Sequence, residues 1–197
     1  MKKTIKSTLI LTAITLIAGV CLALVYQITK EPIRRAEEAA AMAAYEDVFP
    51  GQVISDQGPE WLPTAEPAPV DGVTIDEYRF AYDGDAFAGI ALRVTSQNGY
   101  GGAVTVAVGV DTDGKLTGIS VISQSETAGL GANCEKPDFT AQFAGISGTV
   151  VWTKTGKSAP NEIDALSGAT VTTKAVTEAV NTGLAFAQSL LKGGNTP

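Results

Sequence analysis

The chain has 197 residues, 45% of them hydrophobic, and its 14 Lys and Arg stand against 21 Asp and Glu for a formal charge of −7. That length holds one sizeable domain and an appendage, and an acidic chain without a basic, aromatic-interleaved patch is not a nucleic-acid binder. Histidine is absent, which removes the commonest general base and metal ligand and any His-dependent triad or Cys-x-x-Cys-His haem; two cysteines, Cys21 and Cys134, are too few for an iron–sulfur cluster.

Lys2, Lys3 and Lys6 precede Thr8–Ile28, 21 residues without a charge. At about 1.5 Å per residue this crosses a hydrocarbon core of about 30 Å. A cleaved signal peptide has an apolar region of only ~7–15 residues with an Ala-x-Ala-like site, and Cys21 behind Ala18-Gly19-Val20 fits a lipoprotein box poorly. An uncleaved single transmembrane anchor over residues 8–28 is expected, with residues 1–7 cytoplasmic by a slight positive-inside bias. No acid precedes Glu31, so the remainder carries 11 basic against 21 acidic side chains, a charge of −10.

Residues 29–49 read as a stalk, with Glu31–Val48 a short amphipathic helix entered through Pro32. Pro50–Pro69 is a loop by composition, and Trp61 within it is expected to pin that loop to the core. Thr74–Tyr82 and Ala86–Thr95, joined at Asp83-Gly84, read as a hairpin. Ala103–Val110 and Lys115–Ser123 read as a second. Their connection Asp111-Thr112-Asp113-Gly114 lacks the later Glu of a calcium loop and is expected to be a turn. Thr149–Thr153 supplies a short strand. Val171–Leu191 has the apolar period of a helix, with Val176, Val180, Leu184 and Leu191 on or near one face, stopped by Gly193-Gly194. The expected fold is α+β: a mostly antiparallel sheet covered by helices, occupying residues 50–197 behind the anchor.

The richest stretch is Asp164-Ala165-Leu166-Ser167-Gly168-Ala169-Thr170, followed by Val171-Thr172-Thr173. Small and hydroxylic residues ahead of an apolar-periodic run mark a helix start. Such a start offers unpaired N–H groups and a positive dipole end to a phosphate. The bland reading of Thr170 is an N-cap. Its hydroxyl has no His or Lys motif to activate it as a catalytic nucleophile.

This stretch resembles the flavin-attachment motif of the FMN-binding domain family. Gly99-Tyr100-Gly101-Gly102 and Glu126-Thr127-Ala128-Gly129-Leu130-Gly131 match that family too, although relatives usually carry Pro where Ala128 stands, which loosens the loop. With the anchor, the resemblance spans nearly the whole chain and is nearest to the G subunits of Rnf ion-translocating electron transport complexes. The related C subunits of Na⁺-translocating NADH:quinone reductases come second.

The resemblance implies FMN bound covalently by a phosphoester to Thr170, installed by a separate flavin transferase for which Asp164 is a recognition residue or only a turn cap. It implies a cofactor site made of Ser167, Gly168, Ala169, Thr172, Thr173, Glu126, Thr127, Gly129, Leu130, Gly131 and Tyr100, with no catalytic or metal site of its own. It implies a domain on the extracytoplasmic side that relays electrons between ferredoxin and NAD among the other membrane subunits, coupled to Na⁺ or H⁺ translocation. Two alternatives stay open: a flavinylated domain feeding another extracytoplasmic reductase, and a cofactor-free membrane-anchored binding or assembly module. Cys134 is expected to be a neutral, semi-buried thiol.

Overall fold

The computed structural model of the chain describes residues 2–67 and 70–193. Pro69 and Gly194, the expected ends of a loop and of a helix stop, lie outside these. Residues up to Ala39 and residues from Ala40 onward form two separate compact units.

A single helix, α1, runs over Lys2–Val48 with Pro32 inside it. The separate stalk helix expected over Glu31–Val48 is therefore the continuation of the anchor's helix. Proline's fixed φ is helical, and what it costs is one hydrogen bond and a crowded carbonyl one turn back. Ala-rich sequence and the ion pairs of Arg34 with Glu31 at 2.6 Å and Glu38 at 2.8 Å flank it. In the first unit the apolar side chains from Leu9 to Ile28 are exposed all round, as in a membrane span rather than a surface helix. Among the described residues this is the one helix long and apolar enough to cross a membrane.

The second unit is built on an antiparallel meander of five strands in the order β1-β2-β3-β4-β5. These are β1 (Val53–Ser55), β2 (Val73–Asp83), β3 (Ala86–Ser96), β4 (Val104–Asp111) and β5 (Leu116–Ser123). Both expected hairpins are present, and Asp111–Gly114 is a turn closed by the Gly114 N–H on the Asp111 carbonyl. After β5 come a 3-10 turn over Gly131–Glu135, the short α2 (Pro137–Thr140) and a second 3-10 turn over Ala141–Phe143. A parallel pair follows, β6 (Val151–Thr153) with β7 (Glu162–Asp164), then α3 (Thr170–Gly193).

The strand alternation sorts residues by size. Ile90, Leu92 and Val94 of β3 and Val104, Val106, Val108 and Val110 of β4 share a core with Val176, Val180, Leu184 and Leu190 of α3. Fully burying each such side chain contributes about 1.5–3 kcal/mol. On the other face the fully buried strand residues are Ala81, Ala91 and Ala107, and with them pack Ala41, Ala44, Tyr45 and Val48 of α1 together with Phe49. Small residues let a helix lie close. The residues expected to be the end of a solvated stalk are thus core. Tyr45 Oη donates to Glu77 Oε1 at 3.0 Å, and burial with that carboxylate pushes its phenol well above the ordinary range. Glu77 in turn pairs with Arg79 at 3.1 Å and Arg93 at 3.5 Å.

Candidate functional site

The connection into α3 is closed by the Ala169 N–H on the Leu166 carbonyl at 3.1 Å. Gly168 takes φ +73° there, a conformation glycine adopts without steric cost. Thr173 Oγ1 donates to the Ala169 carbonyl and accepts the Leu166 N–H, both at 3.0 Å. Thr172 Oγ1 donates to Glu126 Oε2, and Thr177 Oγ1 to the Thr173 carbonyl at 2.8 Å. Thr170 differs. It is the first helical residue rather than a cap, and among the described residues its hydroxyl has no hydrogen-bond partner.

Glu126 reaches a third segment. Its Oε1 accepts the Gly101 N–H at 2.9 Å, so one side chain ties the Gly99–Gly102 tip to the start of α3. Packing around it leaves no room: a Cβ on Gly131 would stand 2.5 Å from both Glu126 Oε2 and Thr172 Oγ1. The loop between is set by the Leu130 and Ala132 N–H groups on the Thr127 carbonyl and by Asn133 Nδ2 on the Gly129 carbonyl.

These three segments enclose a cleft of about 480 Å³ lined by Tyr100, by Glu126, Thr127, Leu130 and Gly131, and by Gly168–Thr172. Its rim holds three large exposed side chains: Tyr100 at 74%, Val171 at 47% and Leu130 at 45%. The first N–H groups of α3 have no partner within the helix, and its positive dipole end lies there. The volume is that of a small-molecule site. An unengaged hydroxyl, a helix start and apolar faces fit a phosphorylated, flat aromatic group such as FMN. Beside Tyr100, the one ionisable group lining the cleft is Glu126, whose two oxygens accept the Gly101 N–H and the Thr172 hydroxyl.

Of the residues singled out from sequence, Tyr100, Glu126, Thr127, Leu130, Gly131, Gly168, Ala169, Thr170 and Thr172 come together in the cleft. Thr173 is fully buried behind the wall, its hydroxyl spent on the turn. Ser167 and Gly129 lie outside the lining. Asp164 is in β7, where its Oδ1 accepts the Lys157 N–H at 2.7 Å and holds the β6–β7 loop. Val171, expected only as the start of the helix, is also a wall residue of the cleft. Its signal was an apolar side chain in the first turn beside Thr170. Trp61 stands edge-to-face on Phe87 at 5.6 Å and packs on the core. Cys134 is fully buried rather than semi-buried; burial first, then the carboxylates of Glu135 and Glu126, push its thiol up to about 11.

The profile of the FMN-binding domain family matches residues 99–185, and that of the RnfG N-terminal region matches residues 1–48. The chain is 32% identical over 197 residues to the G subunit of the Na(+)-translocating ferredoxin:NAD(+) oxidoreductase complex of Acetobacterium woodii, covering 97% of this chain and 95% of that one. It is 28% identical over 194 residues to the G subunit of the ion-translocating oxidoreductase complex of Shewanella piezotolerans, covering 91% and 88%. Among solved structures, the C subunit of the Na(+)-translocating NADH-quinone reductase from Parabacteroides distasonis aligns with a TM-score of 0.52 and 27% identity, over 60% of this chain and 63% of that one.

Proposed function

The chain belongs to the family of G subunits of ion-translocating (Rnf) oxidoreductase complexes, and we propose that within such a complex it relays electrons through FMN esterified to Thr170. The observation that carries this reading is the hydroxyl of Thr170, unengaged at the first position of α3 while its neighbours Thr172 and Thr173 are both spent on structure. Bound FMN supplies one- and two-electron transfer. The chain's own residues hold, orient and shield the group. Gly168, Ala169 and the first N–H groups of α3 receive the phosphate. Leu130, Val171 and Tyr100 would give the bound group apolar contacts, and Thr127 would supply a hydroxyl. A flavin transferase makes the ester, and Asp164 serves its recognition or only holds the β6–β7 loop through the Lys157 N–H.

The complex this protein serves couples ferredoxin:NAD oxidoreduction to Na⁺ or H⁺ movement. The span Thr8–Ile28 carries no ionisable side chain except Cys21 and the phenol of Tyr26 near its end, so the ion path belongs to other membrane subunits. The domain stands on the extracytoplasmic side, where a covalent link keeps the flavin from being lost. Peptide mass mapping tests the assignment: after co-expression with a flavin transferase, the peptide bearing Thr170 carries the FMN increment. The increment on any other residue would overturn it.

A further inference from the structure

Glu126 carries the one charged side chain among the residues lining the cleft, and it is 9% exposed. A carboxylate held away from water is costly unless its oxygens are satisfied. Both are, by the Gly101 N–H and the Thr172 hydroxyl, and the first turn of α3 adds the positive end of its dipole. No Lys or Arg lines the cleft, so no cation in its walls offsets the charge felt by an occupant.

Two consequences follow from this placement. The Gly99–Gly102 tip, which bears Tyr100, and the start of α3, which bears Thr170 and Val171, hang on the same side chain, so it sets the spacing of the walls. A fixed negative charge in a poorly solvated wall also opposes the arrival of electrons beside it. We infer that Glu126 is a positioning residue that spaces the two walls of the cleft and, by its charge, lowers the reduction potential of the flavin held between them. The inference rests on reading the cleft as the FMN site. Glu126, expected as a member of the cofactor site, thus acts there through the two walls it ties together.

The full chain, co-expressed with a flavin transferase and purified in detergent, is compared with Glu126→Gln and Glu126→Ala by redox titration of the bound flavin and by amide exchange at Gly101. Gln removes the charge but keeps a carbonyl for the Gly101 N–H. The Gln variant is expected to be easier to reduce, with the reduced-to-oxidised ratio at a fixed poise raised at least tenfold, about 30 mV for a two-electron couple, and with Gly101 exchange near that of the parent. The Ala variant is expected to exchange at Gly101 at least tenfold faster. A Gln variant with the parent's potential would overturn the role of the charge. An Ala variant with the parent's exchange rate would overturn the positioning role. Exchange is read on the polypeptide with or without flavin. A parent protein without covalent flavin would therefore overturn the reading of the cleft, and the charge's role with it, while exchange still decides the positioning.

Discussion

Thr173 accepts the Leu166 N–H on its hydroxyl at 3.0 Å, seven residues back along the chain. With its return bond to the Ala169 carbonyl, it holds the turn that a capping residue would otherwise hold. Thr170 is thereby released from structural duty. Thr173→Val is expected to destabilise the flavin-free chain by about 1–3 kcal/mol, since it leaves a partly buried N–H unpaired. Thr170→Ala, which loses no hydrogen bond, is expected to stay within about 0.5 kcal/mol. Urea unfolding of both variants in the same detergent checks the contrast.

The cleft floor separates two glycines of one loop. A Cβ on Gly131 collides with Glu126 and Thr172, whereas a Cβ on Gly129 meets open space. Gly131→Ala is expected to push the carboxylate off the start of α3, with a loss of about 1–3 kcal/mol and of flavin incorporation. Gly129→Ala carries only the strain of φ +79°, of order 1 kcal/mol, and is expected to keep its flavin. Absorbance at flavin wavelengths per mole of protein distinguishes them.

Burial of Cys134 makes stability depend on alkaline pH. Its thiol is pushed up from 9.0 to about 11 in the folded protein, so the unfolded chain releases the proton first. The contribution is fully present below the unfolded value and is lost as pH rises through the folded one. Denaturant midpoints are expected to fall between pH 9 and 11, and to fall less in Cys134→Ala. A thiol reagent at pH 7 is expected to label this position only in the unfolded protein.

Phe49 is 2% exposed and closes the small-residue face of the sheet. Phe49→Ala is expected to cost about 3–5 kcal/mol. Tyr45→Phe removes one hydrogen bond to a Glu77 that keeps Arg79 and Arg93, and is expected to cost about 1 kcal/mol. Limited proteolysis after residue 40 reports both losses, since a helix end released from the sheet becomes a substrate.

What could be read from sequence was what is local. The hairpin over Val73–Ser96 was legible to within a residue at each end, because alternation and the Asp83-Gly84 turn act within a few residues. The place of Thr170 at the start of α3 was legible because Asp164–Thr170 is contiguous. β1 and β7 have three residues each, too few for a period to show, and β7 finds its partner β6 only by a parallel, non-local pairing. The end of α1 looked like a stalk because an Ala-rich charged helix reads as solvated. Only the face of the sheet bearing Ala81, Ala91 and Ala107, distant along the chain, makes it core. Glu126 was singled out, but the reason for it was hidden, since its partners are Gly101 and a threonine 46 residues away.

Flavin fluorescence in a denaturing gel tests the central claim most directly, with the chain co-expressed with a flavin transferase and Thr170→Ala beside it. The account predicts a fluorescent band for the parent and a dark band of equal protein for the variant. A variant band that still fluoresces, or a dark parent band beside a glowing flavinylated control domain from the same cells, would contradict it.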